Sequence, residues 1–224
     1  MKRVVIFDFD GTVVDTITDV GLCFNEALRL NNFPQHGLEK YSRFVGGNLE
    51  TVVSRMLPQD QVTEENIFQV KTVYRQLYMS SEKPNTKPYP GMMQVMDDLK
   101  SLGWLLTVNS NKGQILLDDM VNKSFPQGYF SAVVGFDESR PSKPDPYGVE
   151  MIRRICECES QDVIYVGDGR SDIETAVNAN IPCVFVRWGQ GTQDDWEDPR
   201  IFARVENAQQ LYDVLLSWGS VADD

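Results

Sequence analysis

From residue 90 onward the apolar spacing alternates between two periods, and that alternation leaves few folds open to the chain. Helix-like spacing over 92–102, 114–122, 146–156, 171–179 and 207–218 is interleaved with short apolar, β-branched runs at 104–109, 132–135, 163–167 and 183–187. Strands that alternate with helices of about ten residues are joined by βαβ crossovers, which build a parallel sheet. A further strand pattern, R-V-V-I-F-D-F at 3–9, stands apart at the start of the chain.

Between that first strand and the rest, residues 16–81 carry no strand signal. Ile17, Val20, Phe24, Ala27 and Leu28 recur three or four apart, as do Ile67, Val70, Tyr74, Leu77 and Tyr78, with Thr63 placed to cap the second helix. Shorter helical patterns fall at 38–44 and 49–57, and the punctuation K-P-N-T-K-P-Y-P-G at 83–91 closes the segment. The expected architecture is a Rossmann-like α/β core made of 1–15 and 86–224, interrupted by an all-helical domain over 16–85. Residues 14–16 and 82–90 would be the hinges between them.

Composition narrows the function classes. The 224 residues carry 33 acidic and 21 basic side chains, a formal net charge of −12 that offers polyanions no basic field, so nucleic acid is not expected as a partner. No apolar run approaches the ~20 residues of a membrane span. After Met1-Lys2-Arg3 the run Val4–Phe7 is broken by Asp8 and Asp10, too early for a signal peptide. Cys23, Cys156, Cys158 and Cys183 make no metal-type pairing with one another or with His36, and reduced, packed thiols in a cytoplasmic protein are expected. The polar tail 222–224 is expected to fray.

In open parallel sheets ligands bind beyond the carboxyl ends of the strands, and the polar residues gather there. The first strand ends in Asp8-Phe9-Asp10-Gly11-Thr12, the second in Asn109-Ser110-Asn111-Lys112, and that at 163–167 in Asp168-Gly169-Arg170-Ser171-Asp172. Lys143 precedes a helix in Ser142-Lys143-Pro144-Asp145-Pro146. Asp8 and Asp10, two apart, would share a face of a strand, and Asp168 and Asp172, four apart at a strand-to-helix junction, can face one point. Four carboxylates so placed repel one another unless a cation sits among them, and Mg²⁺, hard and oxygen-seeking, suits the set. Lys143 and Ser110 would add a fixed positive charge and a hydroxyl donor for a phosphoryl group.

These four segments resemble, in order, the four motifs of the haloacid dehalogenase superfamily, and the likeness spans essentially the whole chain, including a helical cap inserted after the first motif. The resemblance implies Asp8 as nucleophile, Asp10 as general acid and base, and Ser110 and Lys143 as phosphoryl ligands, with Asn111 beside them. It implies Mg²⁺ held by an oxygen of Asp8, the backbone carbonyl of Asp10, and Asp168, with Asp172 acting through water or orienting the others. Dehalogenases of the family lack the second aspartate, so Asp10 points to phosphoryl transfer. Within the cap, Phe44-Val45-Gly46-Gly47-Asn48 is similar to the W-V-G-N-G stretch of phosphoglycolate phosphatases. Gly46 and Gly47 would then approach a small phosphorylated metabolite, and Arg43 or Arg55 would meet its carboxylate. A sugar-phosphate mutase and a non-catalytic metabolite sensor are the alternatives. His36 is read as a packing residue, and Trp188, in Arg187-Trp188-Gly189-Gln190-Gly191, as packing or as lining the core side of the cleft. Asn180, where the family usually has glycine, is read as a left-handed helix cap.

Overall fold

The computed structural model describes residues 2–221, and the tail at 222–224 lies outside them. The chain divides into two compact units, Met1–Val14 with Pro88–Asp224, and Asp15–Lys87. In chain order, β1 (Val4–Phe7) and β2 (Val14–Asp15) lead into helices α1 (Ile17–Leu30), α2 (Tyr41–Phe44), α3 (Leu49–Met56) and α4 (Glu64–Ser80). β3 (Lys87–Pro88) follows and pairs with β2 where the chain passes between the units. Beyond it come α5 (Met92–Ser101), β4 (Leu105–Gly113), α6 (Gln114–Ser124), β5 (Ala132–Phe136) and α7 (Tyr147–Cys156). The chain continues through β6 (Val163–Gly167), α8 (Arg170–Asn178), β7 (Cys183–Val186), α9 (Gln193–Trp196), β8 (Ala203–Val205) and α10 (Ala208–Val221).

The larger unit is a Rossmann-like parallel sheet of order β5-β4-β1-β6-β7-β8 with helices packed on it. β1 lies inside the sheet between β4 and β6, and Val4, Val5, Ile6 and Phe7 are all fully buried. That is why its sequence reads as a continuous apolar run instead of alternating: a parallel strand with helices on both faces has no wet side. The chain moves outward from β1 to β4 and β5, then returns to β6 on the other side. The carboxyl ends of β1, β4 and β6 therefore flank the reversal of strand order, where such sheets bind ligands.

Three details depart from the sequence reading. The first strand stops at Phe7 rather than residue 9: Asp8 lies just past its end and Asp10 is in an isolated bridge with Val14, so the two aspartates are not on one continuous strand. β4 continues past 109 to Gly113, with its register against β5 shifting between Asn109 and Gly113. Such irregularities re-aim side chains, and this one contains Ser110, Asn111 and Lys112. β8 was not anticipated, because three residues with Arg204 exposed give no periodicity to detect.

The smaller unit is all-helical between its connector strands. Phe24 of α1 stacks on Tyr74 of α4 with ring centroids 3.7 Å apart, and Tyr41 and Tyr78 extend the stack at 6.2 and 5.5 Å. His36 packs here: its Nε2 lies 2.8 Å from the Met56 carbonyl and its ring 4.8 Å from that of Phe44. Asp19, 2% exposed, accepts hydrogen bonds from the Asn85 backbone N–H (3.0 Å), Asn85 Nδ2 (2.8 Å) and Thr86 Oγ1 (2.7 Å). One carboxylate thus ties the returning segment to α1. Replacing it leaves three donors unpaired, so Asp19→Ala is expected to cost about 2–4 kcal/mol of stability, read from urea unfolding.

None of the four cysteines is disulfide-bonded, and Cys156, Cys158 and Cys183 are buried. Asn180 follows α8 with φ +54°, the left-handed conformation expected of it. Among the described residues no helix is long and apolar enough to cross a membrane.

Candidate active site

The sheet register sets the geometry. Phe7 lies level with Val108 of β4 and Val166 of β6, and the Asp8 N–H continues the ladder onto the Val166 carbonyl at 2.9 Å. The next residues of three strands, Asp8, Asn109–Ser110 and Gly167–Asp168, therefore emerge side by side.

Lys143 binds this cluster together. Its Nζ lies 2.9 Å from Asp8 Oδ1 and 2.7 Å from Asp172 Oδ1, and its side chain is only 2% exposed. Burial opposes its charge, but Asp172 and Asp8 outweigh burial and hold the ammonium protonated well above the usual lysine range. Its backbone is held by Asn111, whose Oδ1 accepts the Lys143 N–H at 3.0 Å and whose Nδ2 donates to the Lys143 carbonyl at 3.2 Å. Asn111, expected beside the substrate, thus serves the lysine loop.

Asp172, 1% exposed, has both oxygens engaged. Oδ2 accepts the backbone N–H groups of Asp168 (3.2 Å) and Gly169 (3.0 Å), while Oδ1 accepts Lys143 and the Tyr165 hydroxyl (3.3 Å). Asp168 has one protein donor on each oxygen: Thr12 Oγ1 on Oδ1 at 2.9 Å and the Gln190 N–H on Oδ2 at 2.7 Å. Asp8 Oδ1 accepts the Phe9 N–H at 2.7 Å in addition to Lys143.

Asp8, Asp168 and Asp172 each offer an oxygen within 4.8 Å of the others. The sequence suggested four converging carboxylates; this trio does not include Asp10, whose Oδ1 lies 3.1 Å from Lys112 Nζ instead. Ser110, 5% exposed, accepts the Lys112 N–H on its hydroxyl at 3.2 Å.

Burial, with Asp172 and Asp168 beyond it, drives the Asp8 carboxyl well above the usual range despite Lys143. Burial and then Asp172 push Asp168 up to about 7. Three carboxylates facing one lysine lack positive charge, and their donors are all oxygen. That set fits a hard divalent ion such as Mg²⁺.

Four further candidates lie in the helical unit. Gly46 and Gly47 have φ +103° and +87°, and a side chain at either would meet open space, so the backbone conformation and not crowding requires glycine there. Arg55 Nη1 donates to the carbonyls of Phe44 (2.9 Å), Val45 (3.4 Å) and Gly46 (2.8 Å), shaping this loop. Arg43 is exposed. Sequence reasoning gave no role to Thr12, Lys112, Tyr165 or Gln190. The neighbourhood of Gln190 is marked in the sequence by Trp188, two residues before it.

Known proteins share the sequence pattern and the fold of this chain. The family profile described as haloacid dehalogenase-like hydrolase matches residues 5–186. The chain belongs to the haloacid dehalogenase-like hydrolases. Among curated relatives in this family, a phosphoglycolate phosphatase of Aquifex aeolicus is 30% identical over 187 residues, covering 84% of this chain and 85% of that one. Phosphoglycolate phosphatase 1 of Pseudomonas aeruginosa is 27% identical over 193 residues, covering 84% and 71%. The solved structure of a candidate phosphoglycolate phosphatase from Lactobacillus delbrueckii superposes with a TM-score of 0.89 at 25% identity, covering 96% and 99%. As a haloacid dehalogenase-like hydrolase of this kind, the chain is an enzyme of the family's phosphatase group.

Proposed function

We propose that the protein hydrolyses a small phosphomonoester with Mg²⁺ through an aspartyl-phosphate on Asp8, with 2-phosphoglycolate the leading substrate. The observation that carries this reading is the buried Lys143 ammonium, 2.9 Å from Asp8 Oδ1, at the point where three strand ends converge. An ammonium so placed draws the phosphoryl group of a substrate toward Asp8 and offsets the charge on its oxygens.

In the forward step an Asp8 oxygen attacks phosphorus, the bond from phosphorus to the ester oxygen breaks, and Asp10 delivers a proton to the leaving oxygen. Asp10, now a carboxylate, takes a proton from water as that water attacks phosphorus, which frees inorganic phosphate and regenerates Asp8. Lys112 holds the Asp10 carboxylate in place between these tasks. Ser110 donates its hydroxyl to a phosphoryl oxygen. Asp8, Asp168 and the backbone carbonyl of Asp10 would hold Mg²⁺, with Asp172 orienting Lys143 and the backbone at Asp168. Bound there, Mg²⁺ supplies charge neutralisation for the phosphoryl oxygens. Residues 16–85 serve as the helical cap and 1–15 with 86–224 as the catalytic core. The loop at Gly46 and Gly47, with Arg43 and Arg55, contacts the remainder of the substrate.

Phosphate release measured across a panel of phosphomonoesters tests the substrate. A preference in kcat/KM for 2-phosphoglycolate of about a hundredfold or more, worth roughly 3 kcal/mol, supports it. A flat profile removes it, and phosphate passed to a sugar without free phosphate makes the enzyme a mutase.

Metal binding should show a definite pH dependence. Asp168 is shifted upward to about 7, so its ionisation opposes folding; its contribution to stability is greatest at low pH and is lost as the pH rises through about 7. Mg²⁺ needs the ionised form and relieves that cost. The gain in Tm on adding Mg²⁺ should therefore be larger at pH 7.5 than at pH 5, and an equal gain at both would contradict the assignment of Asp168.

A further inference from the structure

We infer that Trp188-Gly189-Gln190-Gly191, the segment after β7, is a positioning clamp that sets the direction in which Asp168 faces the divalent cation. The inference rests on the metal reading above and adds residues to which that reading gives no part.

Asp168 is held between two loops. From the loop after β1, Thr12 donates its hydroxyl to Oδ1 at 2.9 Å; from the loop after β7, the Gln190 backbone N–H donates to Oδ2 at 2.7 Å. The two loops are themselves joined, because the Trp188 indole N–H donates to the Thr12 carbonyl at 3.0 Å. Each Asp168 oxygen thus has one protein donor and keeps a lone pair for another ligand, and its rotation is blocked from both sides.

The glycines show how close the clamp lies. A Cβ built on Gly189 would collide with Cβ, Cγ and Oδ2 of Asp168, and one on Gly191 with the Asp168 carbonyl and the Phe185 ring. From the opposite loop, a Cβ on Gly11 would strike the Asp168 carboxylate. Bare backbone is therefore packed against this carboxylate on two sides. The chain just beyond the segment is anchored as well: Arg170 Nε lies 2.8 Å from Asp195 Oδ1 and its Nη1 2.6 Å from Asp198 Oδ2, and Asp195 in turn closes a capping box with Thr192. A carboxylate with ordinary freedom would need none of these restraints. One that must present a fixed lone pair to a small cation with strict geometry does.

The test is Mg²⁺ binding to the full chain without substrate, by isothermal titration calorimetry, alongside the metal-free Tm. Gly189→Ala is expected to weaken Mg²⁺ binding by about 10–100-fold, the usual effect of disturbing a partner of a metal ligand. Trp188→Phe keeps an aromatic ring but loses the bond to Thr12, and is expected to weaken it by about tenfold. Both should recover part of their kcat at high Mg²⁺. A merely structural segment would lower the metal-free Tm and leave the Kd of the folded protein unchanged. Wild-type affinity in folded Gly189→Ala overturns the clamp; if that variant does not fold, Trp188→Phe decides in the same way. A wild type that takes up no Mg²⁺ removes the metal reading, and the clamp with it.

Discussion

Asp8→Asn is expected to lower phosphate release by more than about 10⁴-fold while leaving the Tm unchanged or higher. Removing the nucleophile of a covalent mechanism removes the route itself, and the other groups cannot act without it. The effect on stability runs the other way. Burial, together with Asp168 and Asp172, makes a charged Asp8 costly to hold, while Lys143 keeps Asp172 at 2.7 Å as a partner. An asparagine oxygen can still accept the bonds that reach Asp8 Oδ1 from Phe9 and Lys143. Catalysis and stability are opposed at this position, as they often are where like charges are gathered for function. Turnover and thermal unfolding measured on one preparation check both halves, and substantial activity in the variant would sink the nucleophile assignment.

Lys143→Met should produce the largest loss of stability. It leaves Asp8, Asp168 and Asp172, mutually within 4.8 Å, without the ammonium that now bonds two of them. Breaking a buried ion pair from one side costs about 3–5 kcal/mol. For a chain of this length each kcal/mol lowers Tm by about 2–4 °C, so a fall of roughly 6–20 °C is expected in metal-free protein. Mg²⁺ should return part of the loss by supplying charge to the same carboxylates, and activity should stay low at saturating Mg²⁺. A variant that melts like the wild type would show that the lysine neutralises nothing.

Much of this protein is legible in its residue order. Helix and strand periods are local properties, so the buried runs at 4–7 and 163–167 and the apolar faces of α1 and α4 could be read directly. The strand-end motifs could be located for the same reason, since Gly11 and the capping residues near Asp172 act within a few positions. Element ends were less legible. Whether a strand stops at Phe7 or continues to residue 9 is settled by where its neighbours in the sheet stop pairing. The short edge strand β8 owes its conformation to β7 rather than to its own sequence.

The sequence alone therefore determined the alternating α/β core, the helical insertion and the placing of Asp8, Ser110, Lys143 and Asp168 at strand ends or loops of one sheet edge. The tertiary structure decided which of these groups meet. It turned Asp10 toward Lys112, set Asn111 on the Lys143 backbone, and closed Thr12 and the Gln190 N–H around Asp168. The two contacts on Asp168 join residues 156 and 22 positions apart. The reason is physical: periodicity reports which face of an element is buried, while the direction of a carboxylate depends on close packing against backbone that arrives from elsewhere in the chain.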